Sequence, residues 1–136
     1  MRVMAVDYGD ARTGIAISDP FGMIAGEVFV IREWDAEKLA ERIAEEAKTR
    51  GAERLVVGYP RNMNGTPGPR AEKSEAFSKL LEQVSGLPVA LWDERRTTVD
   101  AHRILTEAGK HGQKRKNTVD AVAASLILEG YLASLR

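Results

Sequence analysis

The chain predicts an α/β fold, a mixed five-stranded sheet flanked by helices in the order βββαβαβαα. Three observations carry that prediction. Val3 to Val6, Ile15 to Ile17 and Leu55 to Gly58 are short apolar runs with the length and β-branching of buried strands. The first two are separated by a short loop containing Gly9 and Asp10, which reads as a hairpin. The later runs are separated by stretches with apolar residues at helical spacing, which implies parallel strands reached by crossovers.

Each element has its own signal. The first strand ends on a carboxylate, Asp7, and the second on Ser18 and Asp19. Pro20 to Gly22 is a turn. Met23 to Ile31 reads as a third strand, with Gly26 at a bulge. Asp35 is the N-cap of a helix that runs to Arg50, buries Leu39, Ile43 and Ala47, and ends at Gly51. Leu55 to Gly58 is then a buried parallel strand. Tyr59 to Gly68 is broken by Pro60, Gly65, Pro67 and Gly68 and reads as a loop. Pro69 suits the first turn of a helix that buries Phe77, Leu80, Leu81 and Val84 and closes at Gly86.

Pro88 to Trp92 is the fifth strand, and it also runs into carboxylates, Asp93 and Glu94. Thr97 or Thr98 caps a helix carrying Ala101, Ile104, Leu105 and Ala108, which ends at Gly109. Lys110 to Lys116 reads as a basic loop with four cations and no acid, and the last helix spans Thr118 to Leu135. No repeat or linker interrupts the chain, so residues 1–136 read as one domain.

Composition narrows the function classes. The 136 residues are 43% hydrophobic and 29% charged, as in a soluble globular protein. No apolar run is long enough to cross a bilayer, and no signal-peptide pattern opens the chain. The absence of cysteine excludes disulfides and thiolate metal sites and suits a cytoplasmic protein. Twenty Lys and Arg balance twenty Asp and Glu, so nucleic acid could be attracted only by a local basic patch.

Asp7 is the residue that asks for an explanation. It ends a strand expected to be central and covered on both faces, where a charge needs a cation, a donor or water. As a turn carboxylate it would accept from the amides of Gly9 or Asp10. Trp34 and Trp92 read as core or rim packing rather than as stacking platforms.

The strand and helix order is that of ribonuclease-H-like proteins, and four blocks make the likeness specific. They are VDYGDARTGIAISD at Val6 to Asp19, VVGYPRNMNGTPGPRAE at Val56 to Glu72, DERRTT at Asp93 to Thr98 and KRKNTVDAVAASLIL at Lys114 to Leu128. In these the chain resembles the YqgF/RuvX family of Holliday-junction-resolvase-like and pre-16S rRNA nucleases. It departs from the family pattern at Tyr59, Arg96 and Asn64, none of them a candidate metal ligand.

The resemblance implies a metal-dependent nuclease acting on structured nucleic acid, with the 5′ end of precursor 16S rRNA as the expected target. A Holliday-junction resolvase in DNA recombination is the alternative. A second alternative is a binding module in transcription that has lost catalysis. An ATP-binding role like that of actin-like kinases would need two such domains, and the chain supplies one.

The implied metal and catalytic ligands are Asp7, Glu94 and Asp120, holding two Mg²⁺ or Mn²⁺ ions. Only one of Asp93 and Glu94 can face Asp7, because neighbouring strand residues point to opposite faces. Glu94 could instead pair with Arg95 or Arg96 as surface ions. Asp120 could serve a capping box begun at Asn117, although Ala123, Ala124, Ile127 and Tyr131 set it on an apolar stripe. Arg12, Arg61, Asn62, Asn64, Thr66, Arg95, Lys114, Arg115 and Lys116 are the expected nucleic-acid contacts. The expected assembly is a monomer or weak dimer, and no membrane association is expected.

Overall fold

Val3–Asp7 forms β1, the middle strand of a five-stranded sheet in the order β3-β2-β1-β4-β5. The other strands are β2 (Arg12–Ser18), β3 (Ala25–Arg32), β4 (Arg54–Tyr59) and β5 (Val89–Asp93). β1, β2 and β3 pair antiparallel, whereas β4 and β5 join in parallel, so the sheet is mixed as the connections imply. The helices are α1 (Ala36–Arg50), α2 (Pro69–Ser85) and α3 (Gly112–Ser134). The computed structural model describes residues 1–60, 68–93 and 112–135, with 112–120 as backbone only. The helix expected between Thr97 and Gly109 and most of the Tyr59 to Gly68 loop lie outside the described residues.

Alternation along β1 divides the core in two. Met4 and Val6 point into a cluster with Ile15, Leu55, Val57 and the inner faces of α1 and α2. Val3 and Ala5 point the other way, into a cluster with Ala16, Val56 and the Ala124, Ile127, Leu128 and Tyr131 stripe of α3. Each fully buried aliphatic side chain contributes about 1.5–3 kcal/mol, so a β1 covered on both faces is the anchor of the fold.

Local signals hold where the chemistry is local. Asp35 caps α1 by accepting from the Lys38 amide at 3.1 Å, and Gly51 and Gly86 end α1 and α2 in the left-handed conformation. Gly26 is the extra residue of a bulge, since Ile17 pairs with Glu27 and Ser18 with Ala25.

Four readings are corrected. β2 starts at Arg12 rather than Ile15, because Thr13 is buried and Arg12 already pairs with Arg32. α3 starts at Gly112 rather than Thr118, so Lys114, Arg115 and Lys116 are helical and not in a loop. The physical reason is propensity: Gln113 to Lys116 are good helix formers, with no Pro or Gly between Gly112 and Gly130. Val84 is exposed, lying in the last turn of α2. Trp34 is 81% exposed and packs in neither core nor rim.

β3 also starts late, at Ala25 rather than Met23. Asp19 explains the delay. Its carboxylate accepts from the amides of Phe21, Met23 and Ile24 at 3.2, 2.7 and 3.0 Å, which commits those residues to the turn. The Ile24 amide above all, with help from Met23 and Phe21, holds the Asp19 carboxyl below its ordinary range. A depressed carboxylate stabilises the fold fully above its unfolded value, about pH 4, and loses that contribution as pH falls through the folded value. Asp19→Ala is therefore expected to lower Tm at neutral pH and to flatten the acid side of the stability curve. Thermal unfolding followed from about pH 7 to about pH 2 checks this, and an acid limb equal to wild type would dismiss Asp19 as its source.

Candidate functional site

The carboxyl edge of the sheet is where β1, β4 and β5 end, the position at which open α/β sheets bind ligands. β1 ends there on Asp7, whose side chain is half-buried. The alternation that sends Val3 and Ala5 toward α3 sends Asp7 to the same face. Gly14, directly opposite Asp7 on β2, brings no side chain to it. Arg12 belongs to the same face by alternation and stands diagonally across from Asp7, two residues before Gly14.

On β5, Ala90 and Trp92 lie against the α3 cluster. Asp93 takes the opposite face and lines a groove with Tyr59, Leu91 and Glu75 of α2. Glu94 lies outside the described residues, as do Arg61, Asn62, Asn64, Thr66 and Arg95. Asp120 is in α3, one turn before the buried Ala124. It stands well inside the helix, so the capping box from Asn117 is corrected: the helix opens at Gly112. Lys114, Arg115 and Lys116 occupy the opening turns of that helix. No cluster of three metal-ligating side chains occurs among the described residues. Asp7 supplies the kind of oxygen donor that hard divalent cations take.

The loop after Asp7 is tightly made. The Gly9 amide donates to Thr13 Oγ1 at 3.3 Å, and Thr13 Oγ1 lies 3.4 Å from the Gly9 carbonyl as donor in turn. Tyr8 points away from Asp7 and stacks on Phe77 of α2, with ring centroids 4.2 Å apart and planes 3° from parallel. Burial, and then the nearby Asp10 carboxylate, raises the Tyr8 hydroxyl above its ordinary pKa. Arg70, at the start of α2, donates to the Tyr8 carbonyl at 3.4 Å, and Lys73 lies 3.6 Å from Asp10. Sequence reasoning missed Arg70 and Lys73. Their only signal is a pair of cations on the helix that follows an edge loop.

Among the described residues no helix is long and apolar enough to cross a membrane. The family profile described as RuvX, Holliday junction resolvase, matches residues 1–134. A protein of Halothermothrix orenii, provisionally named a pre-16S rRNA nuclease, is 48% identical over 133 residues, covering 97% of this chain and 94% of its own. One of Bacillus subtilis with the same provisional name is 43% identical over 137 residues, covering 99% of each. Among solved structures, Thermus thermophilus RuvC in complex with a Holliday junction superposes with a TM-score of 0.64 at 14% identity, covering 99% of this chain and 96% of that one. The fowlpox virus resolvase bound to Holliday junction DNA gives 0.59 at 12% identity, covering 99% of both chains. Those structural likenesses establish the resolvase-type ribonuclease-H-like fold. Sequence identity over nearly the whole length goes further: the chain belongs to the RuvX family of Holliday-junction-resolvase-like proteins.

Proposed function

We propose that the protein is a metal-dependent nuclease that cleaves phosphodiester bonds in structured nucleic acid and processes the 5′ end of precursor 16S rRNA in the cytoplasm. The observation that carries this reading is Asp7, a half-buried carboxylate ending the central strand, in a chain whose relatives bear the pre-16S rRNA nuclease name. Asp7, Glu94 and Asp120 are the proposed ligands.

Lengths support bringing Asp120 to Asp7. Arg54, at the start of β4, donates to the Tyr131 hydroxyl at 2.8 Å and ties the end of α3 to the edge where β1 begins. Going back from Tyr131 to Asp120 covers about 16 Å of helix axis, while β1 from Val3 to Asp7 covers about 13 Å. Lengths so close support a reading in which the two acids meet at that edge.

Bound Mg²⁺ or Mn²⁺ would supply an activated water and charge stabilisation for the leaving oxygen. The chain's own part is to fix carboxylate oxygens at the sheet edge and to hold the substrate backbone across it. Arg12 stands on the Asp7 face, suited to a phosphate oxygen. Lys114, Arg115 and Lys116 form a basic turn at the start of the helix that carries Asp120.

Resolution of four-way junctions is the second reading, favoured by the description of the family profile. Purified protein given Mg²⁺ or Mn²⁺ decides between them when offered the 5′ precursor region of 16S rRNA and, separately, junction DNA. Cleavage of the RNA alone is expected; cleavage of the junction alone would replace the first reading by the second.

Replacing Lys114, Arg115 and Lys116 together by Ala is expected to weaken nucleic-acid binding about tenfold or more. It should also reduce the salt slope by about two to three. Unchanged affinity at low salt would show that the basic turn is only solvated.

A further inference from the structure

We propose that Trp34 is a stacking platform for an unpaired nucleobase of the substrate, a few nucleotides from the phosphate at Asp7. The proposal rests on the nuclease reading and adds to it the kind of strand that the edge takes, one with a base free to stack.

Trp34 is 81% exposed, on the connection between β3 and α1. That connection is firmly built. The Glu33 amide donates to the Ala11 carbonyl at 3.1 Å, which fastens it to the β1–β2 loop. The Glu33 carboxylate accepts from the amides of Trp34 and Asp35 at 3.1 and 3.3 Å. Arg42 donates to the Arg32 carbonyl at 2.8 Å and lies 3.7 Å from the same carboxylate. Asp35 then caps α1. An indole left in water on a backbone so fixed binds at little entropic cost, because only its two side-chain torsions remain to be ordered.

β3 delivers Trp34 to the edge of the sheet where β1 ends. Gly14 faces Asp7, Val30 faces Gly14, and one step nearer the edge Arg32 faces Arg12. Two strand spacings, about 10 Å, separate Asp7 from Val30, and Trp34 lies four residues beyond, at most about 13 Å along. A few nucleotides of one strand span that gap.

Charge decides which part of a nucleic acid meets the indole. On the α1 side stand Glu33, Asp35 and Glu37, the last in the first turn of the helix, and these acids repel a phosphate. On the sheet side stand the exposed Arg32 and its cross-strand partner Arg12, on the Asp7 face. A strand running out from Asp7 would lay its phosphates along the arginines and reach Trp34 with a base, whose π-face carries no charge.

The surroundings favour a base over a protein partner, which needs a wider apolar surface. The exposed Phe21, Met23 and Ile24 lie in the β2–β3 turn, at the opposite edge of the sheet. In the chain Trp34 is flanked by Arg32, Glu33, Asp35 and Glu37, so it is a single flat ring among charged groups. Every base has a face to offer such a ring, so the contact tolerates any sequence.

Binding is measured in chelator, so that no cleavage intervenes, with a short RNA single strand and with an abasic version of the same strand. Trp34→Ala is expected to bind the intact strand about five- to a hundredfold more weakly, with the salt slope unchanged because no phosphate contact is lost. Trp34→Phe keeps a π-face and should recover most of the affinity. On the abasic strand wild type and Trp34→Ala should bind alike. Thermal unfolding checks that each variant is folded, as substitution of so exposed a side chain should leave it. Equal affinity of wild type and Trp34→Ala for the intact strand would overturn the platform, and so would an equal loss on both strands. The nuclease reading fails separately: wild-type protein that discriminates the two strands through Trp34 but cuts no RNA in Mg²⁺ or Mn²⁺ would sink that reading while leaving the platform standing.

Discussion

Asp7→Asn is expected to abolish cleavage, by about a thousandfold or more, while the protein still folds and still binds nucleic acid. The substitution keeps the shape of the side chain and one acceptor oxygen, and removes a single negative charge. A carboxylate that merely accepted from turn amides would be replaced by Asn at little cost. A metal ligand would not, because the lost charge is what holds a divalent cation at the edge of β1. Two further readouts separate the cases. Stability in chelator is expected to rise, since the amide relieves repulsion among the acids proposed to gather there. The rise in Tm on adding Mn²⁺ to wild type is expected to shrink in the variant. An Asp7→Asn protein that cuts RNA at the wild-type rate would end the proposal that this carboxylate holds metal.

How much of this was legible in the sequence depends on range. The β1–β2 hairpin, the Gly26 bulge, the Asp35 cap and the terminators Gly51 and Gly86 all came through, because each is decided within a few residues. The place of Asp7 at the end of β1 was legible for the same reason: a charge at the end of an apolar run marks where the strand stops.

The misreadings share a different cause. Asn117 and Thr118 carry good capping chemistry, yet α3 opens at Gly112, since a capping residue only offers a boundary and a run of helix formers can pass through it. Val84 fits the apolar stripe of α2 by spacing, but it sits in the last turn, where the helix stops covering the core. The contact of Arg70 with the Tyr8 carbonyl was invisible for a third reason. Its two partners are 62 residues apart in the chain, and the parallel pairing of β1 with β4 brings the start of α2 beside Tyr8.

Gly9→Ala is expected to damage both stability and cleavage, from a single added methyl group. A Cβ at this position would lie 2.1 Å from the Arg12 carbonyl oxygen and 3.3 Å from its carbon. Both atoms are backbone of β2, so no flexible side chain can swing aside. The loop must open instead, which strains its contacts to Thr13 and pulls on the end of β1 two residues before. Overpacking of this kind costs about 1–3 kcal/mol, a fall in Tm of about 4–8 °C per kcal/mol for small domains and somewhat less here. The effect on cleavage should exceed what instability explains, because a displacement of about 1 Å at a reacting group can cost about a hundredfold. Gly51→Ala makes the comparison. Gly51 has φ +74° and nothing within 4 Å of an added Cβ, so alanine there strains the backbone at the end of α1, far from Asp7. It should lower Tm by a comparable few degrees and leave cleavage at the wild-type rate below its melting point. Equal rates for the two variants, measured well below both transitions, would mean that the Gly9 loop does not position Asp7.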